Sequence, residues 1–221
     1  MRAFLILPLL ALAACRSATA PGTAADTART GYASPVTGVI ARSAGDPTRP
    51  QVRPFRGMTA DSEVVYGDPD AEGGPFVIRI RELAGGIVPP HSHPVDEHIT
   101  VLQGTWWFGT GDTFERARLT PLPAGSYAFA PKGTTMFGYA PEATVVQVHG
   151  VGPFHIHWRN GMRTLDDVGA AGAFRFRKGE TVRSPRGEGR IRQGYASGEL
   201  VQYEVEGAAG LFVAQEAELQ R

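Results

Sequence analysis

Two histidines and one glutamate occur at alternating positions in a short stretch that a glycine closes at each end. His91, His93 and Glu97 lie between Gly85 and Gly104. Successive side chains of a β-strand point to opposite faces, so an extended backbone would direct these three odd-numbered side chains to one side. Two imidazoles and one carboxylate suit Fe(II), Mn(II), Ni(II) or Zn(II), and they leave coordination positions open if no further protein ligand arrives. The stretch therefore predicts a site for a divalent metal ion.

This stretch resembles the first cupin motif, G-x5-H-x-H-x3-E-x6-G, and matches it at every fixed position. The second motif of the family, G-x5-P-x-G-x2-H-x3-N, is matched only in part. Gly125, Pro131 and Gly133 agree with it, but Met136 stands in place of a fourth ligand, a histidine, and Ala140 in place of asparagine. The resemblance implies a cupin barrel, a double-stranded β-helix or jelly roll, over residues 51–160.

Three side chains beyond the first motif are candidates for lining the site. The thioether of Met136 is a soft, neutral and weak donor, so we expect a hydrophobic filler there rather than a ligand, and a more open site. Gln147 and His149 share one face of a predicted strand and could line the barrel, with His149 either replacing the missing ligand or lying there as a hydrogen-bonded interior histidine. The alternative for the whole site is a vestigial pocket that keeps its polar residues as a hydrogen-bonded cluster.

Several neighbouring residues are expected to have no role at the metal. His98 adjoins Glu97 in sequence and so points to the opposite face. His155 and His157 alternate with apolar residues that favour the core, which would turn both imidazoles outward. The aromatic run at residues 106–108 could form an apolar wall for an organic ligand, although such residues are usually core.

The rest of the chain from residue 51 favours an all-β fold. Short extended runs are separated by Gly, Pro and Asp, as is typical of a sandwich or barrel. Residues 161–173 resemble a linker, and residues 174–221 follow it with several further predicted strands. Their order resembles a small SH3-like β-barrel. The sequence therefore predicts a cupin barrel followed by a self-contained SH3-like module.

The first half of that module is rich in arginine, which raises the question of its partner. Small basic barrels can bind nucleic acid. The chain as a whole balances 22 Lys and Arg against 22 Asp and Glu, which gives no argument for nucleic acid. Because the chain is also expected to be exported, we favour solvated charges, with contact to an anionic polymer of the cell envelope as the alternative, and we expect no nucleic acid partner.

The beginning of the chain predicts export and lipid anchoring. A positive start is followed by an apolar run that is too short to span a bilayer, and residues 12–15, Leu-Ala-Ala-Cys, resemble a bacterial lipobox. Residues 1–15 would then be a lipoprotein signal peptide that ends at an acylated Cys15, and residues 16–50 a flexible tether. The alternative is an ordinary secretory peptide cut at an Ala-x-Ala site. The expected location is the periplasmic face of the cell envelope, at the outer membrane.

These features support two functions of different kinds. The first is a non-catalytic module that binds a divalent metal ion, a small organic ligand, or both. The second is a metal-dependent oxidoreductase, similar to a dioxygenase, or an isomerase that uses the two histidines and the glutamate. The cupin resemblance also implies pairing of two chains into a homodimer.

Overall fold

The computed structural model describes residues 60–221, which are built from antiparallel strands and turns. This part of the chain contains no α-helix, only three short 3-10 helices at Arg116–Arg118, Ala170–Ala173 and Glu216–Glu218, so the prediction of an all-β chain is confirmed for it. No helix within it has the length and apolar character needed to cross a membrane. The predicted signal peptide with Cys15, the predicted tether and the first residues of the predicted barrel lie outside the described residues.

Five strands form the first sheet: β1 (Ala60–Tyr66), β2 (Pro75–Glu82), β4 (Glu97–Gln103), β7 (Tyr127–Ala130) and β9 (Thr144–Val151). Their order across the sheet is β1-β2-β9-β4-β7. Along β2 the side chains of Phe76, Ile78 and Ile80 are buried, as their alternation with polar residues predicts. Ile78 and Ile80 pair with Val148 and Val146 of β9, so both strands present the same apolar face.

Five strands form the second sheet: β3 (Ile87–Ser92), β5 (Thr105–Thr110), β6 (Thr120–Pro123), β8 (Met136–Tyr139) and β10 (His157–Trp158). Their order is β10-β3-β8-β5-β6. Val88 and Trp106 from this sheet share one hydrophobic core with Phe76, Ile78 and Val148 of the first sheet. The two sheets therefore pack face to face as a jelly roll.

The C-terminal sheet contains β11 (Arg163–Thr164), β12 (Thr181–Ser184), β13 (Gly187–Ser197), β14 (Leu200–Gly207) and β15 (Gly210–Gln215). Strand β13 is its long central element and pairs with β11, β12 and β14. After the last 3-10 helix, Gln220 forms a bridge with Arg183 of β12, which connects the end of the chain back to the start of this sheet. Because β11 belongs to the sheet, the predicted linker over residues 161–173 is not simply a spacer.

The C-terminal sheet is joined to the jelly roll by buried hydrogen bonds. The side-chain amide of Gln202 accepts from the Ile87 N–H at 3.0 Å and donates to the Ile87 carbonyl at 2.7 Å. The Val213 N–H donates to the Ala84 carbonyl at 2.8 Å. All described residues fall in one compact unit, so these strands are docked on the jelly roll, although they bury a hydrophobic core of their own around Phe176, Tyr203 and Val205.

This docking generates a prediction at Gly85, the first glycine of the cupin-like stretch. Its φ is +90°, and a Cβ there would lie 2.1 Å from the Val213 carbonyl oxygen. Gly125 has the same φ of +90°, but a Cβ there would meet no atom within 4 Å, so it is a matched control. Gly125→Ala should cost about 1–2 kcal/mol through backbone strain alone. Gly85→Ala should cost about 1–3 kcal/mol more through overlap with the docked sheet, as measured by urea unfolding. Equal losses in the two variants would show that the docked sheet does not press on Gly85.

Candidate metal centre

The end of β3 and the start of β4 bring the two histidines and the glutamate to one place. His91 lies in β3, His93 follows that strand, and Glu97 begins β4 after a short connection. The three side chains are buried, with exposures of 8%, 3% and 5%. The rings of His91 and His93 are 5.0 Å apart between centroids and nearly perpendicular, and His93 Nε2 is 3.7 Å from Glu97 Oε2. The structure brings the three residues together in the barrel interior, but not along one extended strand as predicted, because β3 ends at Ser92 and Glu97 begins β4 in the facing sheet.

Backbone carbonyls fix the orientation of both imidazole rings. His91 Nδ1 is 2.7 Å from the Pro89 carbonyl oxygen, and His93 Nδ1 is 2.8 Å from the His155 carbonyl oxygen. A carbonyl oxygen can only accept, so each Nδ1 carries the proton and each Nε2 keeps a free lone pair. This is the tautomer and the kind of outer hydrogen bond found for metal-binding histidines.

Two polar atoms of the cluster are buried without a hydrogen-bond partner in the described part of the chain. They are His93 Nε2 and Glu97 Oε2. An unsatisfied buried polar atom is costly, and a cation between the two atoms would satisfy both. Ligand atoms about 2.1 Å from a shared ion are roughly 3.0–3.4 Å apart. His93 Nε2 and Glu97 Oε2, 3.7 Å apart, would therefore need to approach by a few tenths of an ångström to share an ion. Within residues 60–221 no three such side chains already meet metal-ligand geometry, but the donor types and the two unsatisfied atoms fit a divalent ion.

Burial also sets the protonation states of the cluster. Desolvation lowers the pKa of His91 to about 4 and that of His93 to about 3. The same cause raises the pKa of Glu97 to about 8. Both imidazoles are therefore neutral at pH 7, the form that binds metal, and Glu97 is largely protonated until a cation favours its charged form.

Two aromatic side chains that follow β9 in sequence pack against the two histidine rings. The Phe154 ring stacks on His93 with 4.1 Å between centroids and 13° between planes. The Trp158 ring contacts His91 at 5.3 Å. The sequence indicated apolar roles for Phe154 and Trp158, but it did not show that the backbone carbonyl of His155 would orient His93, because a backbone contact between distant residues leaves no pattern in side-chain types.

Met136 occupies the place opposite His91. The two residues are Cα partners across β3 and β8, and Met136 is 3% exposed. Its thioether lines the same interior as His91 and Glu97. The structure thus places a hydrophobic side chain where the second cupin motif has its histidine, in agreement with the expected filler.

Gln147 and His149 do not line the barrel, which corrects the prediction made for them. On β9 the buried side chains are Thr144, Val146 and Val148, so the intervening residues face outward. The Gln147 side chain accepts a hydrogen bond from Arg79 Nε at 3.2 Å on that outer face. The two residues do share one face, but alternation alone does not say which face is inside.

The remaining four histidines also lie away from the cluster of His91, His93 and Glu97. The His149 ring stacks on His98 with 4.8 Å between centroids, and His98 Nδ1 is 2.6 Å from the Tyr127 hydroxyl on the outer surface. His155 and His157 are exposed through their side chains. None of the four side chains reaches the interior, as expected for His98, His155 and His157.

The interior beside the cluster is narrow and mostly apolar. Its free volume is about 40 Å³, and its walls include Trp106, Phe108, Met136 and a second buried acid, Glu82. The Trp106 ring fills the space over Gly138, where a Cβ would lie only 1.8 Å from it. This volume accommodates one or two water-sized molecules. Glu82 was not predicted as a lining residue, although it continues the inward-facing alternation of β2.

Comparison with known proteins finds no family model and no curated protein that matches this chain. Solved structures do match. The polyketide cyclase RemF from Streptomyces resistomycificus is 16% identical, with a TM-score of 0.45 over 54% of this chain and 84% of its own. A double-stranded β-helix protein from Klebsiella pneumoniae is 26% identical, with a TM-score of 0.37 over 48% and 90%. An RmlC-like cupin from Desulfovibrio desulfuricans is 22% identical, with a TM-score of 0.37 over 52% and 98%.

The described residues have the double-stranded β-helix fold of a jelly roll, and they carry a motif that resembles the first cupin motif. The three TM-scores lie below 0.5. This assignment therefore depends on the two facing five-stranded sheets and on the motif residues gathered at the end of β3. The matched structures give no activity or substrate to this chain.

The raised pKa of Glu97 predicts how the stability of the metal-free protein varies with pH. The folded state keeps a proton on Glu97 up to about pH 8, whereas the unfolded chain releases it near 4.5. The free energy of unfolding should therefore fall by about 1 kcal/mol between pH 6.5 and pH 8, as measured by urea unfolding in the presence of a chelator. The two buried histidines act in the other direction and offset part of this fall up to about pH 7.5, because the unfolded chain, with its ordinary imidazole pKa of 6.5, binds protons there that the folded state does not.

Two variants check this assignment. Glu97→Gln mimics the protonated acid and should remove the fall in stability over this pH range. Glu142→Gln changes an exposed carboxylate and should leave the fall unchanged. A parent protein whose stability is flat between pH 6.5 and pH 8 would contradict the burial of Glu97 as a neutral acid.

Proposed function

We propose that this protein binds a divalent metal ion through His91, His93 and Glu97 and that it serves as a non-catalytic binding module. The main observation behind the proposal is that backbone carbonyls hold both imidazole rings in one orientation. Each ring donates from Nδ1 to a backbone carbonyl, and His93 Nε2 and Glu97 Oε2 are buried without a hydrogen-bond partner within residues 60–221. A metal ion is the simplest group that satisfies those atoms together. Fe, Mn, Ni and Zn all suit this donor set.

The narrow interior supports binding rather than turnover. About 40 Å³ beside His91 and Glu97 leaves room for water-sized ligands, and most of the surrounding side chains are apolar. An organic substrate would have to enter a space that Trp106 and Phe108 already fill. A small oxygen-containing ligand could still reach the metal side of the cluster, and a bound ion would attract it as a Lewis acid.

The alternative function is a metal-dependent oxidoreductase or isomerase, and the position of Met136 favours it. A thioether opposite His91 leaves part of the metal's surroundings without a strong protein ligand. Open positions on a two-histidine, one-carboxylate centre are what such enzymes need to admit a reactant. Within this chain His91 and His93 would hold the ion, and neutral Glu97 would give up its proton on binding it.

The proposal extends to the parts of the chain outside the described residues. We infer that Cys15 is acylated and that residues 16–50 tether the protein to the periplasmic face of the outer membrane, on the strength of the lipobox-like sequence. We also infer that the C-terminal sheet is an SH3-like barrel that contacts an anionic envelope polymer. Its support is the bridge between Gln220 and Arg183, by which the segment after β15 returns to β12.

The first test is metal content. Elemental analysis of the full chain should find near-stoichiometric iron, manganese, nickel or zinc, and His91→Ala should lower it by about tenfold or more because one of three ligands is lost. His98→Ala is the matched control, because this histidine is close in sequence but faces the outer surface. Metal that persists in His91→Ala would refute the site.

Met136→His tests whether the site has decayed. It places a third imidazole, as a fourth ligand, directly opposite His91 and should tighten metal binding about tenfold or more. A parent protein without metal that gains it only through Met136→His would favour the vestigial pocket over the proposed function.

Lipid anchoring has its own test. The full chain, expressed in a bacterium with an outer membrane, should sediment with the membrane fraction, and Cys15→Ser should move it to the soluble periplasmic fraction because the acyl chains supply the anchor. A Cys15→Ser variant that is processed and distributed like the parent would favour the ordinary secretory peptide.

A further inference from the structure

A second cavity lies between the C-terminal sheet and the jelly roll, apart from the barrel interior. Its volume is about 430 Å³, which falls within the usual range of small-molecule sites. Its walls come from β3, from the connection between β5 and β6, and from the C-terminal residues. The wall residues that matter for its chemistry are Ile87, Phe114, Arg116, Arg175, Glu199 and Leu200. The cleft therefore exists only because the C-terminal sheet is docked where it is.

Two arginines of the cleft are held by aromatic rings and not by acids. Arg116 Cζ is 4.2 Å from the ring centroid of Tyr139, and Arg175 Cζ is 5.0 Å from that of Phe176. Neither guanidinium forms an ion pair within residues 60–221. A ring face supports a guanidinium without using its N–H groups, which stay free for a planar acceptor such as a carboxylate.

The two acidic residues of the cleft differ in whether their carboxylates already have hydrogen-bond partners. Glu216 Oε2 accepts from the Tyr203 hydroxyl at 2.5 Å and from the Arg175 backbone N–H at 2.9 Å, so this carboxylate already has its partners within the protein. Glu199 lies in the turn between β13 and β14 and is exposed, and its carboxylate makes no hydrogen bond or ion pair within the described part of the chain. Both arginines are thus available to a ligand, and Glu199 is the one carboxylate that would repel an anion from a free position.

The apolar wall of the cleft is fixed in place. The Phe114 ring meets the Phe137 ring edge to face, with 5.4 Å between centroids and 67° between planes. Ile87 is held by the double hydrogen bond from Gln202. A ligand with an apolar body therefore finds a prepared surface next to the two guanidinium groups.

We propose that this cleft is a binding site for a small organic anion, a carboxylate with an apolar or aromatic body. The carboxylate binds between Arg116 and Arg175, and the body packs against Phe114 and Leu200. This site is separate from the proposed metal centre, and neither proposal depends on the other.

The test uses 3-phenylpropionate as the probe and the full chain as the protein. Binding is measured by ligand-observed NMR and calorimetry at low salt, with 3-phenylpropanamide as the uncharged control of the same shape. We expect saturable binding of the acid at millimolar concentrations and about tenfold weaker binding of the amide. Arg116→Gln and Arg175→Gln should each weaken binding of the acid about tenfold.

Matched variants separate the cleft from other sites. Arg177→Gln removes an exposed arginine outside the cleft and should leave binding unchanged. Glu199→Gln should tighten binding a few-fold, a gain that misfolding cannot produce. The proposal is overturned if the acid does not bind, if acid and amide bind equally, or if both arginine variants bind like the parent. Loss of binding in His91→Ala but not in Arg116→Gln would place the probe in the barrel and equally overturn it.

Discussion

Strand β3 is the element on which the rest of the structure depends, because it joins the cluster of His91, His93 and Glu97, the second sheet and the C-terminal sheet. Within the jelly roll it pairs with β8 on one side and β10 on the other. Its last residues include His91, and the Pro89 carbonyl orients that ring. Its first residue, Ile87, is held through both backbone groups by Gln202, which is 115 residues away in sequence. A change at the C-terminal end of β3 therefore acts on the histidine–glutamate cluster, and a change at its N-terminal end acts on the docked sheet.

The cluster itself is unfavourable to bury without a cation. Two neutral imidazoles and a protonated carboxyl have been removed from water, and two of their polar atoms have no hydrogen-bond partner in the described chain. This desolvation lowers the stability of the metal-free protein, whereas a bound ion would offset part of the loss by coordinating those same atoms. The proposed metal ion would therefore stabilise the fold at the place where its burial of polar atoms is most unfavourable.

The spacing of His91, His93 and Glu97 identified the residues of the site, but the alternation of side chains along a strand is not what brings them together. The chain bends between His93 and Glu97, and β3 and β4 belong to facing sheets. For Gln147 and His149 the same rule gave the shared face but not the inward one, which is set by the pairing of β9 with β2. The carbonyl contact from His155 and the docking through Gln202 join residues distant in sequence, and no local pattern contains them.

The docking of the C-terminal sheet also changes what those strands can be for. If the C-terminal sheet were a separate module, its arginines would form a solvated surface. Joined to β3, the same segment closes a cleft in which Arg175 and Arg116 of the jelly roll line one cavity beside an apolar wall. Ile87 lies in that wall and in the strand that carries His91, four residues away. The cleft and the histidine–glutamate cluster thus share one strand as a structural support. They differ in chemistry, because the cleft presents guanidinium groups and the cluster presents imidazoles and a carboxyl.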